Sequence, residues 1–415
     1  MRGLIFGILT CLILERASAL LPGLKVAHTA RKCRSALPAS TQDKIMSSYL
    51  AEQRVLQRER REERTRQEYF DEINALVDGV HPSFNRLTEP HFWEQFSRGL
   101  TIASDPGTAT IEAKFPGVLG SHVKESMLLN GGDVDTALDH LKKRGYSGVE
   151  NVDWQKVGVD LQALANTMEA LKAAGWPPVF VLMFDEAWRL LEGLFSVMQP
   201  LLGEDCELEA SLYGWALEPP TLTPEGELEK VGGNFGQPHR DFPYDQCHLE
   251  DGSPSVVSVW IPFVQASLDN GCMYVVPREN DPLFDQPDDK FHLTPTLRPF
   301  PYSHVRPLNT GAGSVLMWNT CTIHWGSSCS PAEYLGEGEE SRKSIAMSFR
   351  VPQSKQAMRE KEWDQYGRLP FTQMEIAKGI PLAERMKLCL RGLKMYSVWH
   401  PEFHGFDKAL VTARQ

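Results

Sequence analysis

Hydrophobic positions recur at helical spacing in the first half of the chain and at every second position in much of the second half. Apolar residues three or four positions apart predict helices, and alternating apolar and polar residues predict strands. Helices are predicted at 138–144, 159–174 and 184–198, with a short strand at 145–149. Short β-rich segments are predicted at 206–217, 255–264, 271–276, 313–325 and 342–351. Strands without intervening helices indicate a jelly roll or a β-sandwich, because a Rossmann sheet needs a helix between successive strands.

Two segments with helical composition flank this region. Residues 47–137 begin with a run of interleaved Arg and Glu that is typical of a solvated helix, and residues 353–415 return to helical composition. Proline-rich segments interrupt the β-rich region at 218–229, 277–307 and 330–341. The sequence therefore predicts an α+β domain at 138–352 between a helical N-terminal extension and a helical C-terminal extension.

The first 46 residues have the pattern of a targeting leader. An apolar segment from Leu4 to Leu14 is followed by small residues at 17–19, as in a secretory signal peptide that covers residues 1–19. It is shorter than the roughly 20 apolar residues that span a bilayer, so no stable membrane anchor is predicted. Residues 20–46 are rich in basic and small residues, as in a transit peptide. Together they resemble the bipartite leaders that route proteins into the plastid of a complex alga; secretion or the endomembrane lumen is the alternative.

The charge of the chain after the leader disfavours nucleic acid as a partner. The chain has 43 basic and 54 acidic side chains, which gives a net charge of -11. Residues 1–44 carry seven basic and two acidic side chains, so the remainder has a net charge of -16. Such an acidic body repels phosphate backbones. The sequence leaves the oligomeric state open.

The cysteines and several histidines are predicted to have no metal-binding role. The eight cysteines include no C-x-x-C pair, so free, packed thiols are expected rather than a disulfide scaffold or a structural zinc site. The four cysteines that flank the candidate motifs fall under this prediction: Cys247, Cys272, Cys321 and Cys329. His248, His292 and His304 lie in predicted loops, where we expect them to be solvated.

The triplet His239-Arg240-Asp241 carries candidate chemistry. On a strand, the side chains of His239 and Asp241 lie on one face and that of Arg240 lies on the other. An imidazole and a carboxylate on one face supply two of the three protein ligands of a facial iron(II) site. A third ligand must come from another strand. The segment 313–323 leads to His324, 83 residues after Asp241.

Four segments, in the same order, resemble the core of the phytanoyl-CoA dioxygenase family. They are His239-Arg240-Asp241, Val259 to Pro277, the strand into His324, and Arg342 to Ile345. The resemblance covers roughly residues 138–352 and implies a double-stranded β-helix, a cupin-like jelly roll, with flanking helices. It also implies an enzyme that uses Fe(II), 2-oxoglutarate and O2 to hydroxylate a small-molecule substrate, with release of succinate and CO2.

The same resemblance implies a role for each matching residue. His239, Asp241 and His324 correspond to the iron ligands, and no further catalytic residue is implied. Arg342 corresponds to the arginine that binds the distal carboxylate of 2-oxoglutarate. A planar guanidinium suits this role because it binds a carboxylate through two hydrogen bonds. Arg350, on the same strand, is the alternative.

Two further residues correspond to positions near the co-substrate. Trp260 matches a family tryptophan, with packing in the core as its alternative role. Ser327 matches a serine that follows the second histidine ligand. The interval of 18 residues between His324 and Arg342 is longer than is usual in the family.

Two other functions remain open. The domain could be a catalytically silent jelly roll that binds a metal or a small acid, or a cupin-like metalloenzyme that does not use 2-oxoglutarate. The complete set of His239, Asp241, His324 and Arg342 favours the dioxygenase, because a silent module has no need of all four. The substrate stays open among lipids, pigments, terpenoids and other secondary metabolites.

Overall fold

A computed structural model describes the chain from residue 67 onward, with gaps. The described residues are 67–103, 131–217, 219–220, 236–330, 335–336, 340–352, 369–396, 406, 409–410 and 413, and no side chain of 131–134 is described. The predicted signal peptide and transit-like segment lie outside the described residues, as do residues 47–66 and 353–368 of the two extensions. The chain divides into two compact units, Met1–Asp71 and Glu72–Gln415. The second unit contains every strand of the described residues.

Helices precede, interrupt and follow the strands of this unit. Residues 72–77 are helical. The later α-helices are α1 (Phe84–Leu87), α2 (Pro90–Glu94), α3 (Gly131–Arg144), α4 (Leu161–Ala173), α5 (Asp185–Leu202), α6 (Tyr244–Cys247), α7 (Gln373–Ala377) and α8 (Leu382–Met395). Short 3-10 helices lie at Trp154–Val157, Pro178–Met183, Arg278–Asn280, Pro295–Leu297 and Tyr302–His304. Within the described part of the chain, no helix is both long and apolar enough to cross a membrane.

Local sequence explains where the two long central helices begin and end. The Asp160 side chain accepts a hydrogen bond from the Ala163 N–H, 3.1 Å away, and so caps the first turn of α4. Helix α5 has two acidic residues, Asp185 and Glu186, in its first turn and is followed by Gly203. The predicted helices at 159–174 and 184–198 correspond to α4 and α5.

The strands form two antiparallel sheets. They are β1 (Tyr146–Val149), β2 (Glu207–Leu208), β3 (Tyr213–Ala216), β4 (Val256–Pro262), β5 (Met273–Val275), β6 (Arg306–Leu308), β7 (Val315–Asn319), β8 (His324–Gly326) and β9 (Lys343–Arg350). The large sheet has the order β1-β7-β4-β9, and both β2 and β3 pair with β9. The small sheet has the order β6-β5-β8. Helices and antiparallel sheets together confirm the predicted α+β class.

Two details of the strand prediction were wrong. The β-rich segment 313–325 is not continuous: it splits into β7 of the large sheet and β8 of the small sheet. The break is a turn in which the Thr322 N–H donates to the Asn319 carbonyl at 2.7 Å. In addition, β6 begins inside the predicted irregular loop 277–307. Pro307 is tolerated there because β6 is an edge strand.

The register of the large sheet defines a row of side chains on each face. Ser258 of β4 is the Cα partner of both Trp318 in β7 and Ser348 in β9. Directly opposed residues share a face, and so do residues two positions apart on a strand. Trp260, two positions after Ser258, therefore lies on the same face as these three side chains.

The other face of the large sheet is covered by helices. Phe349 of β9 alternates with Ser348 and contacts Phe195 of α5, with ring centroids 5.0 Å apart. The 3-10 helix Pro178–Met183 packs against β3. A Cβ atom on Gly214 would lie 3.0 Å from the Val179 backbone, so the close approach of this helix requires glycine.

Described parts of both extensions pack against this helical layer. Trp93 of α2 stacks on Phe180 with ring centroids 5.2 Å apart, and Phe180 in turn stacks on Phe406 at 6.0 Å. Trp176 contacts both Trp93 and Phe406 edge to face. The extensions therefore share a core with the region between them.

A buried ion pair joins α8 to α5. Arg385 donates to the Asp185 carboxylate at 2.8 Å, and both side chains are at most 2% exposed. Arg385 also donates to the backbone carbonyls of Ile380 and Met183, each at 2.9 Å. These hydrogen bonds engage most of the N–H groups of the Arg385 guanidinium, which has no access to water.

We expect Arg385→Ala to lower the free energy of unfolding by about 3–5 kcal/mol, because it leaves a buried carboxylate without its cation. Urea denaturation measures this change. Lys394→Ala, at an exposed position of the same helix, is the control and should change the free energy by less than about 0.5 kcal/mol. Equal effects of the two substitutions would contradict a specific contribution of the Arg385–Asp185 ion pair to stability.

Candidate active site

Backbone hydrogen bonds bring together two segments that are far apart in the sequence. The N–H groups of His239 and His324 each donate to the other residue's carbonyl, at 3.1 and 3.0 Å. The Asp241 N–H donates to the Thr320 carbonyl at 2.9 Å. The extended geometry assumed for His239–Asp241 thus occurs at an isolated antiparallel bridge and not in a regular strand. Even so, it places both side chains beside His324.

Three potential ligand atoms converge at this bridge. The Nε2 atom of His239 lies 3.7 Å from Oδ1 of Asp241, and the Nε2 atom of His324 lies 3.6 Å from the same oxygen. The two imidazole centroids are 4.5 Å apart. Metal bonds to such nitrogen and oxygen atoms are about 2.0–2.2 Å long, so one ion can reach all three atoms.

Hydrogen bonds orient each of these side chains. Nδ1 of His239 lies 2.8 Å from the Gln237 carbonyl, and Nδ1 of His324 lies 3.0 Å from the Thr322 carbonyl. A proton on Nδ1 leaves the lone pair on Nε2, directed at Asp241. The Ser258 hydroxyl donates to Oδ2 of Asp241 at 2.9 Å, which leaves Oδ1 for the imidazoles. The donor set therefore fits a metal ion.

Burial sets the protonation state of one histidine. His324 is 4% exposed, and loss of solvation lowers its pKa to about 4 although Asp241 acts in the opposite direction. At neutral pH its ring is thus neutral, as a metal ligand must be. The side chains of His239 and Asp241 are 21% and 32% exposed, so solutes can approach the three atoms from their side.

A cavity of about 250 Å³ opens beside these atoms. Both sheets contribute to its wall: Trp318 of β7, Trp260 of β4 and Ala346 of β9 come from the large sheet, and Met273 of β5 and His324 of β8 from the small one. The wall is largely apolar and aromatic. Such a lining is typical of sites for small organic molecules.

Arg342 lies in the cavity wall, directly before β9. It is 2% exposed, donates a hydrogen bond to the Gly271 carbonyl, and holds its guanidinium carbon 5.6 Å from the Trp260 ring centroid. Burial lowers the pKa of Arg342 to about 10, so it is still charged at neutral pH. The structure thus brings Arg342 and Trp260 to one cavity with the three potential ligands.

Ser327 is placed differently. Its hydroxyl donates to the Cys272 carbonyl at 3.0 Å, and it is not among the described residues that line the cavity. Ser327 directly follows β8, at the end of the strand opposite to His324. Ser327 therefore holds the loop before β5 against the end of β8.

The cavity wall also contains a buried carboxylate that sequence reasoning missed. Glu209 accepts a hydrogen bond from Arg350 at 3.1 Å, and the two side chains are 5% and 3% exposed. Arg350 lies eight residues after Arg342 on the same face of the chain, about 26 Å away at 3.3 Å per residue. The Glu209–Arg350 pair thus marks the opposite end of β9 from Arg342.

Ser258 was also missed, although a signal for it existed. It precedes Trp260 by two positions in a predicted strand, so the period of two already put both on one face. No comparable signal was available for Glu209, because its pairing depends on the register between β2 and β9.

Two histidines predicted to be solvated are not. His292 is 1% exposed, and its carbonyl accepts a hydrogen bond from Nε of Arg240 at 2.7 Å. Burial lowers the pKa of His292. The His248 ring stacks on Tyr244 with centroids 3.9 Å apart. For His292 the prediction was wrong because Arg240, itself buried beside Asp281 at 2.7 Å, holds the proline-rich segment against the protein. His304 is exposed, as predicted.

Comparison with known families agrees with the motifs. Residues 228–329 match the family model described as phytanoyl-CoA dioxygenase, and the match contains all three potential ligands. The family prediction made from the sequence is thereby confirmed. No curated protein matches the chain.

Several solved structures are similar to the chain at low levels of identity. The epimerase SnoN, in complex with Fe3+, alpha ketoglutarate and nogalamycin RO, is 16% identical with a TM-score of 0.36, over 54% of this chain and 85% of that one. The non-heme monooxygenase ThoJ is 13% identical with a TM-score of 0.36, over 52% and 78%. HygX from Streptomyces hygroscopicus, with iron bound, is 13% identical with a TM-score of 0.33, over 52% and 86%. Values this low assign no activity.

We expect Ser258→Ala to weaken Fe(II) binding by about ten- to a hundred-fold, because Asp241 loses the hydrogen bond that orients it. Anaerobic titration with Fe(II) measures the affinity. Ser348→Ala is the matched control: Ser348 is the Cα partner of Ser258 on β9 and lines the same cavity. It should leave the affinity unchanged. Wild-type affinity in Ser258→Ala would show that this hydrogen bond does not orient a ligand.

Proposed function

We propose that the protein is an Fe(II)- and 2-oxoglutarate-dependent dioxygenase that hydroxylates a small molecule, with release of succinate and CO2. The observation that carries the proposal is the convergence of Nε2 of His239, Nε2 of His324 and Oδ1 of Asp241 in one cavity with Arg342. Two imidazoles and one carboxylate on a single face are the ligand set of non-haem iron oxygenases and leave coordination positions open.

A double-stranded β-helix is the corresponding fold proposal. Two antiparallel sheets contribute to one cavity, and the bridge between His239 and His324 lies at the edge of the small sheet. The match to the phytanoyl-CoA dioxygenase family supports the same architecture.

The residues present fit iron and its co-substrate. His239, Asp241 and His324 would hold Fe(II), and Arg342 would bind the distal carboxylate of 2-oxoglutarate. When bound, Fe(II), 2-oxoglutarate and O2 supply the oxidising chemistry, in which one oxygen atom enters succinate and the other enters a substrate C–H bond. The protein keeps both histidines oriented through Nδ1 and keeps Asp241 oriented through Ser258.

Arg342 and Trp260 form the co-substrate end of the cavity in this proposal. A dianion in a buried site needs a fixed cation, because an unpaired buried charge costs several kcal/mol. Arg342 keeps its charge there, and the Trp260 ring shields the pair from water. Ser327, which lies outside the described cavity wall, would act only by holding the Cys272 carbonyl.

The remaining part of the cavity is proposed to hold the substrate. Glu209, Ser211, Trp215 and Tyr396 line it there. Aromatic rings beside a buried ion pair suit a molecule with an apolar body and a polar group. This favours a lipid-like compound or another secondary metabolite.

Two rival functions differ from this one in a measurable way. A silent jelly roll would bind Fe(II) without turnover, and a cupin-like metalloenzyme would act without 2-oxoglutarate. Formation of succinate from 2-oxoglutarate by the Fe(II)-loaded protein distinguishes the dioxygenase from both rivals. If Fe(II) binds and no succinate forms with any member of a broad substrate panel, the proposal fails.

The proposed cellular compartment of the protein is based only on the leader, residues 1–46. We propose import into the plastid of a complex alga on the composition of residues 1–46, with secretion or the endomembrane lumen as the alternative. Microscopy of residues 1–46 fused to a fluorescent protein in an algal host distinguishes these compartments.

We expect His239→Ala or Asp241→Ala to abolish Fe(II)-dependent succinate formation while the protein stays folded, because each removes one of three ligand atoms. Succinate is measured by mass spectrometry and folding by circular dichroism. His304→Ala removes an exposed histidine and is the control, with turnover unchanged. Near-normal turnover in either ligand variant would refute the assignment.

We expect Arg342→Ala to raise the apparent constant for 2-oxoglutarate by tens to hundreds of fold, on the order of 2–4 kcal/mol, with little change in Fe(II) affinity. Initial rates at varied 2-oxoglutarate measure this constant.

Arg350→Ala provides the contrast, because it removes the guanidinium that pairs with a buried carboxylate on Glu209. It should lower the free energy of unfolding by about 3–5 kcal/mol and leave the 2-oxoglutarate constant unchanged. If the two variants exchange these effects, Arg350 is the co-substrate arginine.

A further inference from the structure

A second group of potential metal ligands lies apart from the candidate iron ligands. Cys247 ends α6, His248 is the next residue, and Cys321 lies in the turn between β7 and β8. Their two sulfur atoms and one imidazole nitrogen all lie within 4.8 Å of one another. Both cysteines are fully buried. Sequence spacing concealed this cluster, because 74 residues separate the two cysteines.

The distances within the cluster suit a tetrahedral ion. Zn–S bonds of about 2.3 Å and Zn–N bonds of about 2.0–2.1 Å place two sulfur ligands about 3.8 Å apart and a sulfur and a nitrogen about 3.6 Å apart. The measured separation between Cys247 Sγ and His248 Nδ1 is 3.4 Å. This separation is close to the value for one ion bound to both atoms, and the remaining separations are no more than 4.8 Å.

One nitrogen of the His248 ring lacks a hydrogen-bond partner among the described residues. Its Nε2 atom is buried and has no hydrogen-bond partner among the described residues. Its Nδ1 atom lies 3.1 Å from the Tyr244 carbonyl and close to the Cys247 sulfur. The nitrogen beside the Cys247 sulfur is Nδ1, so Nδ1 would bind an ion at the cluster and Nε2 would carry the ring proton.

We propose that Cys247, His248 and Cys321 bind a thiophilic divalent cation, for which zinc is the natural candidate, at a site separate from the iron ligands. Two thiolates and one imidazole select zinc over magnesium, calcium or manganese, which prefer oxygen ligands. Two thiolates also neutralise a dication, which suits a fully buried site.

The position of the cluster indicates a structural role for the ion. The Cys321 carbonyl accepts a hydrogen bond from Arg240, and the neighbouring Thr320 carbonyl accepts one from the Asp241 N–H. An ion on Cys321 would tie this turn to α6. It would thereby hold the backbone on which Asp241 and His324 depend, without contacting the substrate cavity.

The experiment uses the full chain carrying His239→Ala and Asp241→Ala, so that the iron ligands cannot contribute. After removal of metals under reducing conditions, zinc binding is measured by competition with a chromogenic chelator. Cadmium serves as the spectroscopic probe, because its ultraviolet charge-transfer band reports the number of thiolate ligands. We expect one equivalent of zinc and a cadmium band with the intensity of two thiolates.

Single substitutions identify the ligands. Cys247→Ser and Cys321→Ser should each lower zinc affinity at least a hundred-fold and halve the cadmium band. His248→Gln keeps both thiols, so it should keep the full band with weaker zinc affinity, and it covers the case in which a cysteine variant fails to fold. Cys389→Ser is the matched control, since Cys389 is a buried thiol whose sulfur faces the Val179 carbonyl, and it should change nothing.

Three results would overturn the proposal. The first is an absence of zinc binding by the folded variant that lacks the iron ligands. The second is unchanged binding after Cys247→Ser or Cys321→Ser. The third is a Cys247–Cys321 disulfide, found by mass spectrometry in protein purified without reductant, which would make the cluster a redox pair. None of these results bears on succinate formation, so this proposal and the dioxygenase proposal fail independently.

Discussion

The backbone bridge between His239 and His324 is the interaction on which the candidate site depends. It joins two segments separated by 85 positions, and with the Asp241 N–H it fixes three side chains around one point. Arg240, which lies between His239 and Asp241, donates to the Cys321 carbonyl and so ties the same two segments together a second time. Any change that shifts one segment by a single residue would turn the potential ligands away from the cavity.

Three buried arginines of the same unit are paired with buried carboxylates. Arg240 pairs with Asp281, Arg350 with Glu209, and Arg385 with Asp185. Such pairs add little net stability over apolar contacts but are costly to break, since either charge alone is poorly solvated. They therefore favour one arrangement of loops and helices over its alternatives, which a site built from distant segments requires.

The sequence predicted the elements whose residues are periodic and the site residues that lie in motifs. Helices α4 and α5 and strands β4 and β9 were predictable from spacing, and the family resemblance led to His239, Asp241, His324 and Arg342. Features that depend on pairing between distant segments were not accessible. Glu209 meets Arg350 across 141 positions, and His292 is buried only because Arg240 reaches its carbonyl. Neither contact leaves a local pattern in the chain.

Strand β9 connects Arg342, which lines the cavity, with Arg350, whose partner Glu209 lines the cavity as well. Arg342 precedes it and Arg350 ends it, and an antiparallel strand held between β4 on one side and β2 and β3 on the other cannot stretch or slide. In the proposed enzyme, the distance between the carboxylate held by Arg342 and a substrate group held near Arg350 is thus set by the backbone. The position of hydroxylation would then depend on the distance between the oxidised carbon and the polar group of the substrate. In a series of substrates that differ only in chain length, the position of hydroxylation would change with that length.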